Sequence, residues 1–481
     1  MNIRLITRTV GYILWVEGGF MLLPLIVSLL YGDGCWPAFF FSALLCGALG
    51  ALTMLVRVFR LRMQGRDGYA AVALAWIALT VMGAVPYLIS GTIPSFINAL
   101  FEAASGLTTT GATILDAVES LPPSIIFWRS ETQWMGGMGV LVLFLALMPH
   151  HGDGAYYLMK AESPGPIKSK LVPRVGGTAK ILYIIYIVLT AAETVALRVA
   201  GMSWFDAVNH AFTTIATGGF STRNTSIAAY QSDAITWVIV VFTILAGINF
   251  SLLYAIVRGR FRDAFRSEEL RWYLVILGST VVLVCANLHF ELGQGWYASI
   301  TDAAFQVTTI MSTIGFATKD FTLWPTFSRC LLVLLMYVGS CAGSTAGGMK
   351  ISRLMLLLKS LRRELDHIIH PNRVSVITMD GQSVDERAVT SAHMFQVAYL
   401  MILMAGTLVV SLDVLGFTES FVAALTCVSN VGPSLGALGP MANFAPLSWF
   451  SKLVLTLIML MGRLELMPIL VLLSPSTWRN K

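Results

Sequence analysis

Charge is scarce in this chain of 481 residues. Asp, Glu, Lys and Arg together make up 12% of it, while hydrophobic residues make up 56%. Soluble domains carry about a quarter charged residues, so the composition excludes a soluble protein and implies one embedded in a membrane. The six cysteines (Cys35, Cys46, Cys285, Cys330, Cys341 and Cys427) are scattered with no Cys-x-x-Cys pair and read as small buried apolar residues rather than metal ligands or a disulfide frame. No glycine-rich phosphate loop ending in Lys-Ser or Lys-Thr occurs, and no dinucleotide fingerprint in strand context, so the chain binds no nucleotide by itself. His150, His151, His367 and His370 read as solvated interface groups. The scattered acids form no set at one membrane face, which leaves a membrane-embedded enzyme as a remote alternative. The formal charge is +6, but its lysines and arginines come in short bursts between apolar runs; no nucleic acid partner follows from that pattern. Arg4 and Arg8 precede an apolar run of about twenty residues without a small-residue cleavage site, so the run reads as a first span rather than a signal peptide.

What the chain does have is one stretch written four times. Asn98 to Ala112, Asp206 to Phe220, Asp302 to Phe316 and Glu419 to Pro433 align without gaps on Gly111, Gly219, Gly315 and Gly432. These glycines lie roughly a hundred residues apart, a spacing that marks a repeated unit. Each copy opens on Asn98, Asp206, Asp302 or Glu419, a group able to cap a first helical turn. Six residues before each glycine stands a hydroxyl: Ser105, Thr213, Thr309 or Thr426. Two residues before it stand Thr109, Thr217, Thr313 and Asn430. The alternative, small-residue packing turns, accounts for one such string but not for four in register.

Around each copy the pattern is span, half-length helix with a glycine turn, span. Two further spans, at about 9–31 and 36–58, come first, each long enough to cross about 30 Å of hydrocarbon. The expected fold is an all-α polytopic membrane protein with ten transmembrane helices. It comprises two extra N-terminal spans (1–66) and four pseudo-fourfold helix–pore-loop–helix repeats (67–160, 161–260, 261–375 and 376–481). The unit spans are expected at about 70–90 and 124–148, 180–200 and 234–257, 271–290 and 325–358, and 388–411 and 447–473. Most lysines and arginines fall on one side if both termini are cytoplasmic. They cluster at Arg57 to Arg66, Lys160 to Lys180, Arg258 to Arg271 and Arg353 to Arg387, and this puts the four turns in the outer half of the membrane.

Irregular backbone at membrane depth must be buried in protein or line a wet cavity. Four equivalent loops meet that demand by converging on one axis, where their carbonyls can replace an ion's hydration shell. The helices before them point negative C-terminal ends at the same place, which favours a cation. No carboxylate sits in the loops, so a large monovalent ion, K⁺ before Na⁺, suits them better than Ca²⁺ or Mg²⁺.

The motifs TTTGAT at Thr108, ATGGFST at Ala216, STIGFAT at Ser312 and SNVGPS at Ser429 resemble those of the Trk/Ktr/HKT potassium transporters. With the two leading spans, GSCAGSTAGGMK from Gly339 to Lys350 and GRLE from Gly462 to Glu465, the chain is most similar to the bacterial Trk-type potassium uptake membrane subunit. The resemblance implies a bacterial inner-membrane location and K⁺ held by the carbonyls of Thr109 and Thr110, Thr217 and Gly218, Thr313 and Ile314, and Asn430 and Val431. It also implies a cytosolic nucleotide-binding regulatory subunit and a homodimer. One glycine per loop implies weaker discrimination against Na⁺, so a sodium-permeable or mixed cation transporter of the same fold stands as the alternative. Asn430 departs from the other three threonines and could distort the fourth loop.

Residues 339–348 interrupt a span with Gly339, Gly343, Ser344, Thr345, Gly347 and Gly348. Such a stretch either packs helices closely or forms a flexible plug under the loops, and the resemblance implies the plug. Arg463 lies in an apolar span at a cost of about 2.5–3.5 kcal/mol unless paired or wet. It reads either as half of a structural ion pair, with Glu465 or with a neighbouring helix, or as a positive charge beside the plug, where the family's matching arginine contributes to the barrier. Lys350 reads as the snorkelling end of the broken helix, and Glu102, Glu131 and Glu193 as outer-mouth or packing groups. Basic loops at 160–180 and 258–271 suit partner docking or anionic lipid equally.

Overall fold

The structure is a computed structural model that describes residues 1–56, 65–139, 175–373, 375–413 and 415–478. Arg57, Arg60, Arg62, His150, His151 and the basic residues from Lys160 to Arg174 lie outside the described residues, as do the last part of the expected 124–148 span, Arg479 and Lys481.

The chain opens with α1 (Ile3–Phe20), α2 (Leu22–Tyr31) and α3 (Trp36–Met54), followed by α4 (Gly65–Ile89), α5 (Phe96–Leu107) and α6 (Pro123–Gly137). Then come α7 (Val175–Val199), α8 (Trp204–Ile215), α9 (Asp233–Gly247), α10 (Phe250–Val257) and α11 (Phe261–Arg266). The third group is α12 (Glu268–Leu292), α13 (Trp296–Met311), α14 (Thr326–Val338) and α15 (Ile351–Ile369). The last is α16 (Glu386–Val410), α17 (Phe417–Ser429), α18 (Trp449–Arg463), α19 (Met467–Leu473) and α20 (Pro475–Trp478). Between α15 and α16 a two-residue hairpin pairs Thr378–Met379 with Gln382–Ser383, the one departure from an all-helical fold among the described residues. Six helices are long and apolar enough to cross a membrane, or seven if the bent α9–α10 pair is one span, among the described residues.

Several expected spans are broken. The 234–257 run turns by 105° between α9 and α10. Asn249 causes the stop: its Oδ1 accepts the Ser251 N–H at 2.8 Å and so starts a new helix in the middle of an apolar stretch. The 447–473 run breaks after Arg463, where Glu465 and Leu466 take φ of 54° and 65°. The 325–358 run is interrupted as expected, between α14 and α15.

The opening residues of the four copies do not all cap. Ser203 caps α8 through the Asp206 N–H, and Glu419 accepts the Gly416 N–H. Asn98 instead accepts Lys452 Nζ at 3.0 Å, and Asp302 lies in the second turn of α13, which starts a turn earlier than its pattern indicates.

Helix packing brings the half-length helices together. Helix α4 is the most enclosed span, with 61% of its most apolar window buried, and its Ala70, Ala71, Ala73 and Ala75 allow close approach. Each short helix lies beside its own leading span and also against the trailing span of the unit before it. Thus α5 packs on α18, α8 on α6, α13 on α9 and α17 on α14. That contact order closes on itself, so the C-terminal ends of the four short helices meet.

Candidate cation site at the four-loop ring

Each short helix stops in the same way. The N–H groups of Thr110, Gly218, Ile314 and Val431 reach back to the carbonyls of Ser105, Thr213, Thr309 and Thr426 at 2.9, 2.8, 2.9 and 2.9 Å. In the first three copies the preceding N–H groups, on Thr109, Thr217 and Thr313, bond Gly106, Thr214 and Ile310. This is the Schellman stop, which needs a left-handed residue and normally finds it in glycine. Here that residue is Thr109, Thr217, Thr313 or Asn430, with φ of 54°, 57°, 60° and 56°. A left-handed β-branched residue is a backbone outlier that costs on the order of 1–3 kcal/mol. Asparagine tolerates this region best, and Asn430 matches the others in φ, so the departure does not distort the fourth loop. The next residue in each copy returns to negative φ, and Gly111, Gly219, Gly315 and Gly432 are again positive, at 82°, 81°, 79° and 101°.

The loops touch in sequence. A Cβ on Gly111 would lie 2.3 Å from the Gly218 carbonyl oxygen, and one on Gly219 would lie 1.9 Å from that of Ile314. One on Gly315 would lie 2.1 Å from the Val431 oxygen, and one on Gly432 would lie 2.5 Å from that of Thr110. Each glycine is therefore the surface on which the next loop's carbonyl rests, and the series closes from the fourth loop to the first. Above the ring lies a cleft of about 120 Å³ lined by all four glycines together with Asp116, Arg129, Asn224 and Asn443.

The hydroxyl or amide at each left-handed position bonds to something different. Thr109 Oγ1 accepts Arg463 Nη1 at 3.2 Å, Thr313 Oγ1 accepts the Gly347 N–H at 2.8 Å, and Thr217 Oγ1 donates to the Ala216 carbonyl at 2.6 Å. Asn430 Nδ2 donates to Thr110 Oγ1 at 2.9 Å and to the Met459 carbonyl at 3.0 Å, tying the fourth loop to the first.

Residues 339–350 run beneath the ring as irregular backbone, with Gly339, Gly343, Gly348 and Lys350 all at positive φ. The stretch is held at many points. Thr345 Oγ1 donates to the Ile215 carbonyl at 3.0 Å, Ser344 Oγ to Cys341 at 2.6 Å, and the Gly343 carbonyl accepts the Phe250 N–H at 3.0 Å. Glu269, absent from the sequence reading, accepts the N–H groups of Ala342 (2.6 Å) and Ser352 (3.2 Å), one near each end of the stretch. Lys350 does not snorkel: it is buried, and its ammonium donates to the Ala346 carbonyl. Arg463 lies beside the stretch, with Nη1 on the Thr345 carbonyl at 2.7 Å and Nη2 on the carbonyls of Gly136 (2.6 Å) and Gly137. The partner of Glu465 is Arg353 rather than Arg463.

Two further residues, Arg129 and Gln133, escaped sequence reading. Arg129 forms a buried ion pair at 2.9 Å with Glu102, and Gln133, one turn along α6, reaches the second loop. The doubled glycine at 218 and 219 was the available signal, because a missing side chain in a packed ring leaves room that another residue must fill. Glu131 and Glu193 are buried, as a packing role implies.

Known proteins match this chain along its whole length. Residues 37–480 match the family model TrkH, described as a cation transport protein. The chain is 38% identical over 487 residues to the Trk system potassium uptake protein TrkH of Salmonella typhimurium, covering all of both chains. It is 33% identical to the Trk system potassium uptake protein TrkI of Halomonas elongata, covering 97% of this chain and 96% of that one. Among solved structures, the potassium transporter TrkH from Vibrio parahaemolyticus superposes with a TM-score of 0.89 at 35% identity, covering both chains completely. The chain belongs to the TrkH family of cation transport proteins, which are transporters and not enzymes.

Proposed function

We propose that this chain takes up potassium across the bacterial inner membrane through a central pathway whose narrowest part is the four-loop ring. The observation that carries the reading is the closed series of contacts in which each ring glycine faces the next loop's carbonyl. Its relatives are named for potassium uptake. The carbonyls of Thr109, Thr110, Thr217, Gly218, Thr313, Ile314, Asn430 and Val431 are the ion ligands in this reading, and the ion is cargo. Four helix C-termini aimed at the ring add negative potential, and neutral carbonyls favour a weakly hydrated monovalent ion.

In the same reading the chain crosses ten times, with both termini cytoplasmic, as two leading spans and four pseudo-fourfold units. Helices α9 with α10, α14 with α15 and α18 with α19 then count as three broken spans. Residues 339–350 gate the pathway from below, and Arg463 adds a positive charge there. A cytosolic nucleotide-binding subunit supplies the regulatory input that a chain lacking a phosphate loop needs, and two copies form the unit in the membrane.

The test is radio-rubidium uptake by purified protein in liposomes, with sodium as competitor. Gly315→Ser puts a side chain against the Val431 oxygen at positive φ and is expected to reduce the preference for K⁺ over Na⁺. Shortening 339–348 is expected to raise flux. Unchanged ion preference in Gly315→Ser would overturn the ring assignment. Equal rates for rubidium and sodium in the unaltered protein would favour the mixed-cation alternative.

A further inference from the structure

The four loops are not equivalent at the residue before the ring glycine. The first, third and fourth loops carry Thr110, Ile314 and Val431 there, and the second carries Gly218. Gly218 is not at positive φ, so its backbone conformation is open to any residue. Space is what forbids a side chain. A Cβ on Gly218 would lie 2.4 Å from both Cδ and Oε1 of Gln133. The Gln133 side chain, delivered from α6, occupies the volume that the second loop leaves empty.

Gln133 is fully buried, and its amide grips the loop on both sides of Gly219. Nε2 donates to the Gly218 carbonyl at 2.7 Å, and Oε1 accepts the Phe220 N–H at 3.0 Å. Only one amide orientation satisfies both bonds. Helix α6 is pinned one turn earlier by Arg129, which pairs with Glu102, rests its guanidinium 4.2 Å over the Phe220 ring and reaches the Ser221 carbonyl at 3.4 Å. Glu102 in turn accepts Thr113 Oγ1 at 3.0 Å and the Ile114 N–H at 3.0 Å in the first loop. The amide is therefore held by a helix braced against two loops. Among the described residues no side chain donates to the corresponding carbonyls of Thr110, Ile314 or Val431. The nearest analogue, Gln306, reaches only the Phe316 carbonyl beyond the ring, at 3.4 Å.

We infer that Gln133 is a positioning residue that sets the ion preference of the ring by restraining the Gly218 carbonyl. This inference rests on the ring reading proposed above. Sodium is smaller than potassium and demands that the ring oxygens close inward. A carbonyl that already accepts a buried hydrogen bond on its outer side resists that movement. The same bond occupies one of its lone pairs, which weakens its attraction for the ion of higher field strength. Both effects act in one direction, against sodium.

The experiment measures sodium inhibition relative to rubidium half-saturation in liposomes, for protein that elutes as a single species after purification. Gln133→Met keeps the side-chain length and removes both hydrogen bonds. It is expected to strengthen relative sodium inhibition by about fivefold, the factor that one net hydrogen bond is worth. Gly218→Ala is expected to lose uptake through its collision with the amide. The double variant Gln133→Ala/Gly218→Ala removes the collision and is expected to regain uptake while keeping the sodium sensitivity of Gln133→Met. That double variant carries the test if Gln133→Met does not fold. Wild-type discrimination in either variant, with Gly315→Ser impaired, would overturn the role of Gln133 alone. Wild-type discrimination in all three would overturn the ring reading and this inference with it.

Discussion

Gly347→Ala isolates the contact between the 339–350 stretch and the ring. Gly347 is not at positive φ, so alanine adds no backbone strain there. Its Cβ, however, would lie 2.2 Å from the Ser429 carbonyl oxygen, and ordinary contact begins at 3.4 Å. The difference, 3.4 − 2.2 = 1.2 Å, must be taken up by one partner. Ser429 is the stiffer of the two. It ends α17 next to the fourth loop's stop, and its Oγ is bonded to the Tyr399 hydroxyl at 2.6 Å. The glycine-rich stretch therefore moves, and a shift of that size breaks the 2.8 Å bond from Gly347 N–H to Thr313 Oγ1. Overpacking of this kind costs about 1–3 kcal/mol. If the stretch is a gate held shut by these contacts, the closed state loses that amount, which shifts the equilibrium by about 5–150-fold toward open. Rubidium uptake into liposomes, without any added protein, is expected to rise at least about fivefold at unchanged preference over sodium. Gly278→Ala in α12, where a Cβ meets nothing within 4 Å, is the control. An unchanged or lower rate in well-folded Gly347→Ala would refute the reasoning.

Three further outcomes follow from the ring and its braces. Thr217→Gly relieves a left-handed threonine whose hydroxyl, among the described residues, bonds only its neighbouring carbonyl, so thermal unfolding in detergent is expected to move up, by about 1 kcal/mol of stability. Glu102→Ala strands the Arg129 guanidinium, only 2% exposed, and is expected to destabilise by about 3–5 kcal/mol, whereas Glu102→Ala/Arg129→Leu costs less in the same assay. Asn430→Ala loses two buried amide bonds and the residue best suited to its φ; Asn430→Gly, which restores only the backbone freedom, is expected to unfold between Asn430→Ala and the unaltered protein.

The family, the ring residues and the interrupted third span were legible because each is written in local sequence. Gly111, Gly219, Gly315 and Gly432 recur in register, and 339–348 is visibly unsuited to a helix. The breaks at Asn249 and after Arg463 were not legible, because hydropathy counts apolar residues and does not see a single capping side chain. Asn249 stops a span with one bond to Ser251, in a stretch as apolar as its neighbours. Asp302 does not mark a helix start either: α13 begins at Trp296 with Gly295 at its N-cap, its first residues are mostly exposed, and Asp302 is buried in its second turn.

The roles of Thr109, Thr217 and Thr313 show a deeper limit. A rule for helix ends asks for glycine at the left-handed stop, and in all four copies the glycine comes two residues later. The stop is made instead by a residue that conformational preference disfavours, and the glycine is placed where the next loop's carbonyl requires a bare Cα. Moving the glycine to the stop would relieve the backbone and at the same time put a Cβ into the neighbouring loop. Ring closure therefore outweighs helix termination at these positions, and the strain in the threonines is retained because the surrounding contacts hold them. For two of them the contacts run downward, from Thr109 to Arg463 and from Thr313 to Gly347, so Thr313 is also a point at which the stretch below touches the loops above.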